Sequence, residues 1–221
     1  MELFAWETPN NSDSAIKQKE NKKKKITSAQ RKALDKAVKQ KAKDYGFKFA
    51  HGFLFSQIGE NFAYSICIVS DTGKVNSDAH IKKMSYDNLF WNIMNMPDNK
   101  LQPLSFRARG AFKSPYILVD GIEVEFDEDL DAVADKYCSA VAETAKSFLY
   151  NNDIGEYVLT NNSIFCTPVL KCLEHLDRGN ITTALEIAKQ QIALGYCGGF
   201  MNEGKTFFEW VVYQINNHMF K

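Results

Sequence analysis

The sequence predicts an α+β fold: a mostly antiparallel sheet of about five strands, packed by an N-terminal helix and a C-terminal set of about four helices. Three observations carry this expectation. Apolar residues recur with helical period up to residue 46, with period two over most of the next forty residues, and with helical period again after residue 127. The first strand-like runs follow one another on short connections, which suits an antiparallel meander rather than strand–helix alternation. The chain also has 221 residues, 45% hydrophobic and 24% charged, enough to bury a single core without disulfides or metal.

The elements follow in order. Residues 1–26 carry the lysine-rich run of residues 17–25 and almost nothing to bury, so they are expected to form a disordered basic tail ahead of one domain over residues 27–221. Leu3, Phe4 and Trp6 are the exception, an apolar start suited to docking on the domain or a partner. Thr27 with Gln30 fits a capping box, Leu34, Ala37, Val38, Lys41 and Tyr45 follow at helical spacing, and Gly46 is a natural stop. Phe47, Phe49, His51, Phe53 and Phe55 then alternate as one strand would. Phe62, Tyr64, Ile66 and Ile68 repeat the pattern, and Asp71-Thr72-Gly73 turns into a third strand near residues 74–84.

Residues 86–96 read as a short apolar helix ended by Pro97. Residues 104–109 and 116–126 read as two further strands, the second with Ile122, Val124 and Phe126 against Glu123 and Glu125. A long helix then buries Leu130, Val133, Ala134, Tyr137, Val141, Ala145, Phe148 and Leu149. Helices near 164–176, 180–195 and 205–219 complete the chain, the third of these four facing inward with Ile181, Leu185, Ala188 and Ile192.

Composition excludes some functions. Lysine plus arginine equals aspartate plus glutamate at 27 each, so no net charge steers the whole chain toward nucleic acid or an anionic membrane. No apolar run reaches the ~20 residues of a membrane span, and the N-terminus lacks the pattern of a signal peptide. Cys67, Cys138, Cys166, Cys172 and Cys197 are odd in number and form no C-x-x-C pair. They read as reduced thiols, and the expected location is the cytoplasm.

Four features could carry chemistry. Residues 199–206 satisfy G-x-x-x-x-G-K-[ST], with Gly199, Gly204, Lys205 and Thr206 at the phosphate-cradling positions. A helix precedes this run where a buried strand is required, Glu203 would repel phosphate, and only fifteen residues follow. The match is therefore read as a helix-opening turn, and no cofactor is expected. Cys172 and His175 lie on one helical turn, half of a zinc site that Cys166 and Cys197 would have to complete, and the preferred reading is no metal. A thiol nucleophile would need a base that sequence cannot place, so enzyme chemistry is the less favoured class.

The other two features are charged. Arg107, Arg109 and Lys113 fall in one strand region, as partners for Glu123 and Glu125 or as an anion contact. Glu123, Glu125, Asp127, Glu128, Asp129 and Asp131 put six carboxylates into nine residues. They suit the start of a helix, and equally a surface for a basic protein partner.

Phe90-Trp91, the run Ser105-Phe106-Arg107-Ala108-Arg109-Gly110-Ala111-Phe112, and Gly198-Gly199-Phe200 with Gly204-Lys205-Thr206-Phe207 resemble an uncharacterised bacterial family of small α+β proteins, some encoded at toxin–immunity loci. The resemblance spans about residues 28–217 and supplies no catalytic residues. It implies a non-enzymatic binding role and a structural turn at 199–206. The leading expectation is a protein-binding module, immunity-like, that meets a basic partner through the acidic stretch. The alternative is a nucleic-acid-associated protein using the lysine-rich tail with Arg107 and Arg109.

Overall fold

The structure is a computed structural model and describes residues 26–70 and 73–217. The basic segment, Asp71, Thr72, His218 and Met219, about which expectations are stated above, lie outside the described residues.

The α+β class holds. Helix α1 (Ser28–Lys41) opens with the capping box: Gln30 N donates to Thr27 Oγ1 at 3.2 Å, and Thr27 N donates to Gln30 Oε1 at 2.9 Å. Leu34, Ala37 and Val38 are its buried face, and a short 3-10 turn runs on to Gly46, which leaves in the left-handed region.

The alternation of residues 47–55 is two strands rather than one. β1 (Lys48–Ala50) and β2 (Phe53–Ile58) are joined by His51 and Gly52 at φ of 54° and 79°, the mirror-image turn whose twist matches that of the strands. A two-residue turn reverses the parity of the faces. Phe49 pairs with Leu54 and Lys48 with Phe55, so Phe49 and Phe55 end on opposite sides of the sheet. The period-two pattern alone cannot show this flip.

β3 (Asn61–Ile66), β4 (Ile68–Val69), β5 (Lys74–Lys83) and β6 (Ile117–Glu125) complete an antiparallel six-stranded sheet. β5 is its centre, pairing with β3 and β4 on one side and with β6 on the other, so β6 is an edge strand among the described residues. The register shifts between Ala79 and His80, where Val119 of β6 is the extra residue.

After β5 come α2 (Met84–Ile93), the single turn α3 (Phe106–Arg109), α4 (Leu130–Asn151), α5 (Ile154–Thr160), α6 (Thr167–Asp177) and α7 (Ile181–Ala193). A small hairpin of β7 (Met201–Asn202) and β8 (Lys205–Thr206) then leads into α8 (Phe207–Asn216). The strand expected at 104–109 is thus corrected to a helical turn, with Arg107 N donating to Leu104 O and Arg109 N to Ser105 O, both at 3.2 Å. Three apolar residues at spacing two are too few to exclude one helical turn, and Phe106 packs its ring 5.9 Å from Trp91. The pattern reading also passed over α5, whose N-cap Asp153 accepts from Glu156 N at 2.8 Å.

The first sheet face carries Leu54, Ala63, Val75, Ala79, Ile81, Ile122 and Val124, all buried and all part of the main core. α1 and α4 pack against that side. The buried face of α4 is close to expectation: Val133, Ala134, Tyr137, Val141 and Ala145, with Cys138 and Ala142 beside them. α7 departs from it. Ala184 and Ala188 are its buried positions, because small residues let α6 and α8 approach, while Ile192 is 39% exposed. Among the described residues the second sheet face is only half covered, and both candidate sites begin on it.

Candidate functional site

The open half of the second face is formed where β5 pairs with β6. Glu125 stands opposite Lys74 and Glu123 opposite Asn76. Lys74 Nζ reaches Glu123, and lies 3.4 Å from Glu125. The cross-strand cation is therefore Lys74, in place of the expected Arg107, Arg109 or Lys113. β6 ends at Glu125, and the chain turns through Asp127 and Glu128 into α4. Asp129 Oδ1 caps that helix by accepting from Ala132 N at 3.0 Å, and Asp127 Oδ1 accepts from Asp129 N at 3.2 Å. Glu123, Glu125, Asp127, Glu128, Asp129 and Asp131 are all exposed and follow one continuous path. Among the described residues no ion pair engages Asp127, Glu128, Asp129 or Asp131. Glu128, Asp129 and Asp131 also border a hollow of about 410 Å³ shared with Ala33, Lys36 and Gln40 of α1.

The covered half of the second face holds a cluster of buried charge. Lys82, with no exposed surface, donates from Nζ to Asp87 Oδ1 at 2.8 Å and to Arg107 O at 2.9 Å. Asp87, equally buried, also accepts from Ser114 N at 2.9 Å, Ser114 Oγ at 3.0 Å and Arg107 Nη1 at 3.3 Å. Arg107 Nη2 donates to Asn88 Oδ1 at 2.8 Å and its guanidinium lies 4.9 Å from the Trp91 ring centre. Lys113 bonds to Ala108 O and lies 5.2 Å from the Tyr64 ring centre. Burial pushes Lys82 down to about 8 and lowers Lys113 as well.

Aromatic rings close this cluster on the sheet side. Phe55, Phe62 and Tyr64 are buried there with Ala108. His80 stacks on Tyr64 at 4.8 Å between ring centres and meets Tyr116 edge-on at 4.3 Å. Burial pushes His80 down to about 4 and raises the Tyr64 phenol. Tyr64 Oη and His80 Nδ1 are buried without a hydrogen-bond partner.

Of the three cations proposed from sequence for an anion contact, the structure thus brings Arg107 and Lys113 to one cluster, while Arg109 stays exposed on α3. Arg107 is occupied by Asp87, Asn88 and the Met84 carbonyl. Sequence reading missed Lys82, Asp87, Tyr64 and His80. The available signal was Lys82 and Asp87 straddling a strand–helix junction, with His80 and Lys82 on the same side of β5.

Residues 199–206 form the β7–β8 hairpin, turned at Glu203 and Gly204 with φ of 48° and 75°. The hairpin is held at the end of α2, where Asn202 Nδ2 donates to Met94 O at 2.7 Å, and by α8, where Trp210 Nε1 donates to Asn202 O at 2.9 Å. Lys205 lies 4.8 Å from the Trp210 ring centre and 5.4 Å from that of Tyr213. Thr206 caps α8 in a capping box with Glu209. Replacing Thr206 by alanine should cost about 1 kcal/mol and lower Tm by about 2–4 °C, measured by circular dichroism. Mg-ATP should leave Tm unchanged in both proteins.

Cys172 is buried, its thiol pushed up to about 12 by burial, and Sγ contacts Ala184 O at 3.7 Å. His175 Nδ1 is buried without a partner. Among the described residues no three His, Cys, Asp or Glu side chains converge as metal ligands would.

A further surface comes from the C-terminal helices. Ile192, Leu194, Tyr196, Met201, Tyr213 and Phe165 are large apolar side chains left exposed. Tyr196 lines a hollow with Ile192 beside Thr206 and Glu209, its hydroxyl is 3.9 Å from Cys166 Sγ, and its ring is 6.0 Å from that of the buried Phe208.

No family model, curated protein or solved structure matches the chain. Among the described residues no helix is long and apolar enough to cross a membrane.

Proposed function

We propose that this chain is a protein-binding module that meets a basic partner through the acidic path from β6 into α4. One observation carries the reading: six exposed carboxylates run continuously from an edge strand into a helix start, and four of them have no ion pair among the described residues. Uncompensated charge on a rigid surface steers an oppositely charged partner and fixes its orientation. Inhibition of a basic enzyme, as an immunity protein does, is the form of binding this surface suits. Ile192 and Tyr196, exposed and lining one hollow, support the same class, since adjoining exposed apolar side chains mark protein contacts. The free cysteines fit a reducing compartment, so the cytoplasm is the proposed location.

The test is a charge reversal that spares Asp129, because Asp129 caps α4. Glu123→Lys, Glu125→Lys and Glu128→Lys together should weaken partner binding tenfold or more while Tm moves by only a few degrees, since each exposed pair contributes roughly 0.2–1 kcal/mol. Normal binding by the folded triple variant would remove the acidic path as the contact.

A further inference from the structure

The buried cluster on the second sheet face is unbalanced. Lys82, Arg107 and Lys113 face a single carboxylate, Asp87, and these are the charged groups that act on Lys82. Asp87 is already saturated by Lys82, Arg107 and both donors of Ser114. Two polar atoms beside the excess charge, Tyr64 Oη and His80 Nδ1, have no partner although Tyr64 and His80 are 1% and 5% exposed. A buried polar atom without a partner costs roughly 1–3 kcal/mol, and two in contact rings beside surplus cations leave hydrogen-bonding capacity unfilled, which the Nδ1–H tautomer of His80 would offer as donors.

We propose that this cluster is a binding site for a small oxyanion of the phosphate class, held by Lys113, the Tyr64 hydroxyl and His80 Nδ1–H, with Lys82 and Arg107 supplying charge behind them. The route in is the side formed by Lys113 and Tyr116, both partly exposed, and by Leu118, which pairs with His80 across the sheet and is 55% exposed. The cover there is residues 110–116, which form neither helix nor strand. Lys113 is the movable element. Among the described residues its hydrogen bond is to the Ala108 carbonyl, and turning Nζ from that oxygen toward the anion exchanges a neutral acceptor for a charged one. Arg109 is exposed on the neighbouring turn and lies outside the set.

The test titrates the full chain with inorganic phosphate and, separately, with methyl phosphate, replacing chloride at constant ionic strength. At about 100 times Kd, binding to the folded state should raise Tm by about 5 °C or more. The rise should be absent in Lys113→Met, a variant expected to fold because Lys113 is only partly buried. A rise with both ligands assigns the site to phosphate esters, and a rise with inorganic phosphate alone assigns it to the free ion. A second readout separates this cluster from the rest of the surface. The His80 imidazole, followed by NMR, faces Asp78, Lys82, Lys113, Tyr64 and Tyr116, and a bound anion should move its titration upward from about 4. No saturable change in Tm or in the His80 signals with either ligand overturns the proposal, as does an equal rise in Lys113→Met.

Discussion

Asp87→Ala should destabilise the protein by about 3–5 kcal/mol, the cost of breaking a buried ion pair from one side. The carboxylate is fully buried and accepts from four donors, so its removal takes a partner from each of them. Lys82 would keep only the Arg107 carbonyl, and Arg107 would keep Asn88 and the Met84 carbonyl. Two cations would then sit in a region of low dielectric with no counter-charge, beside Lys113. Burial already pushes Lys82 down to about 8, so loss of Asp87 should drive it further toward the neutral amine. Urea denaturation at pH 7 and at pH 9 checks both points. The deficit should be smaller at pH 9, where Lys82 can shed its proton in the folded variant. An equal deficit at both pH values would mean that packing, and not unpaired charge, sets the cost.

Glu174→Ala should cost about 3 kcal/mol or more by the same logic at Lys83, which follows Lys82 at the end of β5. Glu174 is fully buried, and Tyr86 Oη and Lys83 Nζ donate to its Oε2 at 2.8 and 2.7 Å. Arg178 holds Oε1 through Nε and reaches Glu156 through Nη1 at 2.7 Å. Burial alone would push this carboxyl up, but hydrogen bonds from Lys83, Arg178 and Tyr86 outweigh it and hold it below the usual range. Gly155 leaves the room: a Cβ there would overlap Glu174 Oε1 and crowd Arg178 Nη2 at 2.6 Å. The sign of the pH dependence follows. A carboxyl depressed in the folded state contributes stability above its unfolded pKa and loses it as pH falls through the folded one. The gap between wild type and Glu174→Ala, measured by denaturant melts, should therefore narrow as the pH is lowered below about 4.

How much of this was legible in the sequence depends on the range over which each determinant acts. The capping boxes at Thr27 and Thr206 and the buried stripe of α4 are local, within one or two turns of the residue that signals them. The helical turn at Leu104 to Arg109 was not, because six residues fit either period until Trp91 fixes Phe106. The two sites divide along the same line. The acidic run is contiguous in sequence, and the fold keeps it contiguous on the surface. The cation cluster joins β3, β5, α2 and residues 107–114, a grouping made by the β3–β5 pairing and by the bonds of Lys82 to Asp87 and Arg107. Arg107 and Lys113 were visible as cations, while their shared partner Asp87 was not.

The most direct measurement of the central claim is capture from nuclease-treated lysate, with the tagged wild-type chain beside the Glu123→Lys, Glu125→Lys, Glu128→Lys variant. A basic protein recovered stoichiometrically with wild type, released by moderate salt and lost from the folded variant, is the predicted result. Equal recovery by both proteins, or recovery of no basic protein with wild type, would contradict it.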